Sequence, residues 1–188
     1  MNRDSVADEE LMARYRDGDA GAFEVLYNRH RGGLYRYLLR SSGSAATAEE
    51  LFQDVWMNLV RARASYAATA KFTTYLYRLA HNRLIDHYRR RPQGVPVSFE
   101  DDCPELDTLA LDPSGQPDAR YDTKQKAERL LALLAELPEA QREAFLLREE
   151  AGLSVEDIAQ ATGVNRETAK SRLRYALANL RSGMRGYL

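Results

Sequence analysis

Residues 92–120 constrain the fold more than any other part of the chain. Pro92, Gly94, Pro96, Pro104, Pro113, Gly115 and Pro117 interrupt any helical period, and few apolar side chains are available there for burial. Between Arg91 and Arg120 there is no basic residue, whereas Glu100, Asp101, Asp102, Glu105, Asp107, Asp112 and Asp118 are all acidic. Such a segment reads as a partly extended, flexible acidic linker. It divides the 188 residues into an N-terminal part, 1–91, and a C-terminal part, 121–188, each long enough for a small core of its own.

Both parts are patterned as helices. In the first, apolar residues recur at helical spacing through Leu11 and Tyr15, then Phe23, Leu26, Tyr27, Leu34 and Leu38. The pattern continues through Leu51, Phe52, Val55, Trp56, Leu59 and Val60, and again through Tyr75, Leu76, Leu79, Leu84 and Ile85. Gly18 and the cluster from Ser41 to Ser44 punctuate these helices, and Gly32-Gly33 either ends one or lies inside a long one. Past the linker, Tyr121 to Glu136 and Pro138 to Ala151 read as two more helices, with Pro138 suited to a first helical position. No segment alternates as a strand does, so the expected fold is all-α, two helical bundles joined by the linker.

The segment from Leu153 to Leu173, LSVEDIAQATGVNRETAKSRL, reads as two short helices joined by a tight turn. Ser154 is a good N-cap with Asp157 three residues on, and Val155, Ile158, Ala159 and Thr162 follow at helical spacing. Gly163 ends the first helix in the left-handed conformation, and Asn165 can cap the second. The outward positions of that second helix, Arg166, Glu167, Thr168, Lys170, Ser171, Arg172 and Arg174, carry residue types that meet base edges and phosphates. This is the pattern of a DNA-binding helix-turn-helix, although a plain helical hairpin also uses a glycine turn.

A net charge of -1 looks unsuited to nucleic acid until it is mapped along the chain. From Lys71 to Arg91 there are six basic residues and one acid, and from Leu153 to the end there are six basic residues and three acids. Two basic modules flanking an acidic linker imply weak DNA affinity for the protein by itself, hence DNA binding that needs a partner. The first module, KFTTYLYRLAHNRLIDHYRRR, interleaves its basic residues with Phe72, Tyr75, Tyr77 and Tyr88. Basic groups hold phosphates, and an aromatic face can stack an unpaired base for about 1 to 3 kcal/mol. The alternative is that these aromatics are core and the arginines a solvated face.

Other classes of function find little support. His30, His81 and His87 are scattered, without a carboxylate-and-nucleophile set, a phosphate-binding loop or a metal-ligand cluster, so no catalytic residue, metal site or cofactor is expected. Cys103 is the single cysteine, and neither a disulfide nor a local zinc site can be built on it. No apolar run is long enough to span a bilayer and no signal-peptide pattern is present, so a cytoplasmic protein without membrane insertion is expected.

Three stretches in this order, AEELFQDVWMNLV (Ala48 to Val60), KFTTYLYRLAHNRLIDHYRRR (Lys71 to Arg91) and LPEAQREAFLLREEAGLSVEDIAQATGVNRETAKSRL (Leu137 to Leu173), resemble the bacterial RNA polymerase sigma factors of the extracytoplasmic-function group. The resemblance runs from about Asp8 to Arg181. It implies a region 2 domain in residues 1–91 that binds core polymerase and opens the proximal promoter element, and a region 4 domain in residues 121–188 that reads the distal one. By position, Gln53 and Asp54, flanked by Glu49, Glu50 and Asn58, match the surface that docks on the clamp coiled coil of the largest polymerase subunit. Lys71, Phe72, Tyr75, Arg78, Asn82, Arg83 and Asp86 match the proximal-promoter face, and the seven outward residues from Arg166 to Arg174 match the distal-promoter recognition helix. Region 4 is expected to meet the flap of the second-largest subunit. The linker is expected to run toward the channel that product RNA will fill, as an RNA-like polyanion or as a solvated spacer.

The chain departs from the group in places. Tyr75 stands where Trp is frequent, Ala169 where Val is usual, and Tyr175-Ala176-Leu177-Ala178-Asn179 lacks the basic residues that often follow the recognition helix. With only Ser182 to Leu188 after Arg181, regulation is expected from outside the chain, through an anti-sigma factor. The competing reading is a stand-alone helix-turn-helix regulator whose N-terminal helices sense a ligand or dimerise, and which binds its operator unaided.

Overall fold

A computed structural model describes residues 6–90 and 117–187, with side chains for 6–90 and 124–187. The residues 92–116 of the expected linker, Cys103 included, lie outside the described residues. Eight α-helices occur among the described residues: α1 (Asp8–Arg16), α2 (Ala20–Ser42), α3 (Ala45–Ala62), α4 (Phe72–Arg90), α5 (Pro117–Glu136), α6 (Glu139–Ala151), α7 (Val155–Thr162) and α8 (Arg166–Gly183). A 3₁₀ turn, Arg63–Ser65, follows α3, and there is no strand among the described residues. The all-α expectation is met.

Helices α1 to α4 enclose one core, with Leu11, Leu26, Leu34, Tyr37, Leu38, Leu59, Phe72 and Leu76 essentially without solvent contact. Gly32 and Gly33 lie inside α2, which runs unbroken to Gly43, where a φ of 70° reverses the chain. Ser44 then caps α3 by accepting from the Thr47 backbone N–H. At the other edge Glu9 of α1 accepts from the Phe72 backbone N–H at 2.7 Å, which satisfies one of the orphan donors at the start of α4.

In the C-terminal bundle α5 begins at Pro117, earlier than Tyr121, because proline is well tolerated in a first helical turn. Pro138, expected as the first residue of α6, is its N-cap instead: at φ -52° and ψ 138° it is still extended, and Glu139 opens the helix. The Ser154 capping box forms in full, the Ser154 hydroxyl accepting from the Asp157 N–H at 3.1 Å and the Asp157 carboxylate from the Ser154 N–H at 3.2 Å. Gly163 takes a φ of 67° between α7 and α8, as its position in the turn requires.

The two bundles pack on each other, α6 against α2 and α7 against α4. The apolar core is continuous across this junction, from Leu34, Tyr37, Phe72 and Tyr77 to Ala144, Leu147, Leu153 and Ile158. A second, smaller cluster of Leu133, Leu134, Leu137, Ala176 and Leu180 ties α5 to α8.

Candidate polymerase and promoter surfaces

Helix α3 has two opposed faces. Ala48, Leu51, Val55, Trp56 and Leu59 turn inward, where Trp56 meets Tyr27 at 5.0 Å, Phe23 at 5.7 Å and Phe52 at 6.2 Å between ring centroids. Glu49, Glu50, Gln53 and Asp54 are exposed on the other side and Asn58 is half-buried beside them. No ion pair among the described residues occupies Glu50 or Asp54. The structure therefore brings all five expected docking residues to one acidic face, backed by a cluster of aromatic rings in edge-to-face and tilted contact. Sequence reading missed Met57, which is 48% exposed in the middle of this face. Its position, one turn after Gln53 and off the apolar stripe, was the available signal.

Helix α4 divides the expected promoter residues. Positions 72, 76, 80 and 84 turn into the core, so Phe72 is fully buried, its ring 5.3 Å from that of His30. The expectation that Phe72 lies against DNA is not matched by its placement here; for Phe72 and Tyr77 the core reading holds. Lys71, Arg78 and Asn82 are exposed, and Tyr75, Arg83 and Asp86 are half-buried. Residues 71, 75, 78 and 82 share one face by helical spacing. The Tyr75 ring stands 5.3 Å from that of Tyr66, and partial burial raises the pKa of its hydroxyl above the ordinary phenol value, so its outer surface is an uncharged aromatic face.

Lys71 is not idle. Its Nζ lies 2.8 Å from Asp157 Oδ2 in α7, and Thr74 donates to Asp157 Oδ1 at 3.2 Å. Burial is the largest single influence on that carboxyl and opposes its ionisation. The hydrogen bonds from Lys71, the Ser154 hydroxyl and the Ser154 backbone together outweigh it and hold the pKa at about 2, against an ordinary 3.8.

Helix α8 turns Ala169, Ala176 and Leu180 inward and leaves most of the expected reading face outside, Arg172 excepted. Asn165 caps it by accepting from the Thr168 N–H at 2.8 Å. Arg166, Glu167, Lys170 and Arg174 are exposed, and Thr168, Ser171 and Arg172 are half-buried. Arg166 pairs with Glu156 and Glu167 at 3.5 Å and Lys170 with Glu167 at 3.9 Å, loose surface pairs that a ligand can displace cheaply. Arg172 points elsewhere from its neighbours: it lines a cleft of about 350 Å³ at the bundle junction together with His81, Arg89 and Glu143. Tyr175, also missed from sequence, is 52% exposed under the Arg174 guanidinium, which sits 5.0 Å from its ring centre.

No helix of the described residues is long and apolar enough to cross a membrane, and no cluster of potential metal ligands occurs among them. Comparison with known proteins agrees with the two-bundle layout. Residues 26–92 match the model of sigma-70 region 2 and residues 127–180 that of sigma-70 region 4. The chain is similar to the ECF RNA polymerase sigma factor SigM of Mycobacterium tuberculosis, 30% identical over 186 residues, which span 99% of this chain and 88% of the relative. It is 34% identical over 179 residues to the ECF sigma factor RpoE of Cereibacter sphaeroides, spanning 93% of each. Its fold is similar to that of CnrH in complex with the cytosolic domain of CnrY, with a TM-score of 0.68 at 21% identity over 96% of this chain and 99% of the other. RpoE of Bartonella quintana, in complex with the anti-sigma factor NepR, superposes with a TM-score of 0.65 at 24% identity over 87% of this chain and 96% of the other. Region 2 and region 4 matches in that order, with relatives covered almost end to end, show that the chain belongs to the extracytoplasmic-function RNA polymerase sigma factors.

Proposed function

We propose a division of labour within this sigma factor in which α3 docks on core polymerase, α4 opens the proximal promoter element and α8 reads the distal one. The observation that carries it is the exposed acidic stripe of Glu49, Glu50, Gln53 and Asp54 on a rigid helix, suited to a basic partner helix such as the clamp coiled coil of the largest subunit. Lys71, Tyr75, Arg78, Asn82, Arg83 and Asp86 form the proximal surface, and Arg166, Glu167, Thr168, Lys170, Ser171, Arg172 and Arg174 the distal one. Residues 1–91 and 121–188 act as the two promoter-binding domains, joined by 92–120, and the second also meets the flap of the second-largest subunit. The protein acts in the cytoplasm, where polymerase is, and contributes binding and strand opening rather than catalysis. An anti-sigma factor that covers the polymerase-binding faces controls it; a fold relative is itself bound to the anti-sigma factor NepR. Reconstituted transcription with core enzyme tests the whole reading, and tight, sequence-specific promoter binding without core would favour a stand-alone regulator instead.

Two substitutions test the DNA surfaces. Stacking an unpaired base needs an aromatic face and not a hydroxyl, so Tyr75→Phe keeps open-complex formation and Tyr75→Ala reduces it about tenfold, in line with the stacking contribution of about 1 to 3 kcal/mol per base. Permanganate footprinting of the melted strand reads this, and equal footprints for the two variants place Tyr75 in a packing role only. In the distal element, Arg172→Ala relaxes sequence preference, because a bidentate arginine–guanine contact carries about 1 to 3 kcal/mol of discrimination. Arg181→Ala weakens all promoters alike. Selection from a library of upstream elements separates them, and unchanged specificity for Arg172→Ala removes Arg172 from the reading set.

A further inference from the structure

Three arginines from three helices line the cleft that holds Arg172: Arg89 of α4, Arg142 of α6 and Arg172 of α8. None of them makes an ion pair among the described residues. Arg142 is only 6% exposed, and its Nη1 donates to the Ala135 carbonyl oxygen at 3.3 Å. One neutral acceptor thus answers a buried cation that carries five donors. A charge taken out of water is costly unless it is paired, so a guanidinium placed this way is suited to an anion from outside the chain.

The carboxylates of the junction do not fill that place. Glu150 is held by Arg36 Nε at 2.7 Å and by Arg40. Glu143 accepts from Tyr37 Oη at 2.8 Å and from His81 Nδ1 at 2.7 Å, and Asp157 is taken by Lys71 and Thr74. Glu139 also lines the cleft, but it is exposed and pairs with none of the three arginines. The remaining wall is apolar and aromatic, made by Leu84, Ile85, Tyr88 and Val164. The Tyr88 hydroxyl donates to the Ser41 carbonyl oxygen at 2.6 Å, which fixes its ring in that wall. Ser41 lines the cleft as well, and its buried Oγ has no hydrogen-bond partner among the described residues.

We propose that this cleft is a binding site for a nucleoside monophosphate, with the phosphate held by Arg89, Arg142 and Arg172 and the base laid on the wall of Leu84, Ile85, Tyr88 and Val164. The planar fork of a guanidinium matches phosphate oxygens two at a time, which an ammonium cannot do. A ligand that carries a dianion at one end and a flat, largely apolar ring at the other meets both halves of the lining, and its sugar hydroxyls come within the polar part where Ser41 is. The volume of about 350 Å³ lies near the lower end of the roughly 300 to 1,000 Å³ of small-molecule sites, which suits one nucleotide. Because the lining comes from α2, α4, α6 and α8 together, a bound ligand stabilises the folded chain by mass action. The site stands on the cleft and its unpaired arginines, whichever residues read the promoter.

The test is isothermal titration of the full-length chain with AMP, GMP, adenosine and inorganic phosphate in turn, at constant ionic strength and with neither DNA nor polymerase present. At least one of the two nucleotides is expected to bind tenfold or more tightly than either adenosine or phosphate, and to raise the melting temperature. Arg142→Lys keeps the charge and loses the planar fork, and Arg89→Ala removes an exposed side chain on which the fold does not depend. Each is expected to weaken nucleotide binding about tenfold with helix content unchanged by circular dichroism; if Arg142→Lys loses helix content, Arg89→Ala alone decides. No binding of AMP or GMP at millimolar concentration overturns the site. Inorganic phosphate or adenosine bound as tightly as the nucleotides overturns the ligand class, and wild-type nucleotide affinity in the folded variants puts the ligand elsewhere on the chain and overturns the assignment to this cleft.

Discussion

Asp54→Arg is expected to lower affinity for core polymerase by about 30-fold or more, close to 2 kcal/mol, while leaving the helix content and melting temperature of the protein unchanged. The side chain is exposed on α3, with no ion pair among the described residues to lose, so the folded state does not depend on its charge. At a contact with a basic partner helix the new guanidinium replaces attraction with like-charge repulsion, which costs several kcal/mol when the pair is desolvated and less at a rim. Pull-down of core enzyme or competition against another sigma factor measures the loss. Wild-type retention of core by well-folded protein removes Asp54, and with it the acidic face of α3, from the docking surface. Gln53→Ala serves as the milder companion, since it deletes a hydrogen-bonding group without adding a charge.

The largest stability effect is expected two residues further on, half a helical turn round on the opposite face. Trp56 is 6% exposed and its ring meets those of Phe23, Tyr27 and Phe52. Trp56→Ala empties that volume and costs about 3 to 5 kcal/mol, a large share of the roughly 5 to 15 kcal/mol that holds a domain folded. Trp56→Phe costs much less, because the indole Nε1 has no hydrogen-bond partner among the described residues and only part of the volume is lost. Urea denaturation followed by far-ultraviolet circular dichroism gives both values. The pair with Asp54→Arg separates docking from scaffolding: the Trp56→Ala defect in core binding recovers on cooling toward maximal stability, and the Asp54→Arg defect does not. An Asp54→Arg defect that tracks the melting temperature would show α3 acting through stability only.

Local chemistry was legible in the sequence, and long-range chemistry was not. The Ser154–Asp157 capping box, the Gly163 turn and the Asn165 cap are decided within a few residues by orphan backbone donors and by a left-handed φ, and each forms as read. The outward placement of Glu49, Glu50, Gln53 and Asp54 follows from the apolar stripe on α3, so that face too was visible beforehand. Phe72 was not, because an aromatic residue at the start of a basic helix suits core or DNA equally, and only the packing of α4 on α1 and α2 buries it. Pro138 missed its position by one residue, which a fixed φ near -60° does not discriminate. Arg36 and Glu150 are 114 positions apart, and no periodicity or motif links charges across such a distance. Gly32 and Gly33 lie inside α2, and the close approach of the Glu150 carbonyl to Gly33, which leaves no room for a Cβ, comes from the other bundle and could not be read locally.

Trp56 is the only tryptophan in the chain, and it stands behind the docking face of α3 in the N-terminal bundle. Its near-ultraviolet absorption and fluorescence therefore report on one half of the molecule. Emission excited at the red edge, where tyrosine does not absorb, follows the surroundings of α3 and is blind to local unfolding of α5 to α8. Backbone dichroism follows both halves. If the two bundles melt as one unit the curves coincide, and wherever the junction yields first they separate, so the gap between two optical signals from unlabelled protein gives the strength of the coupling between the bundles in energetic units.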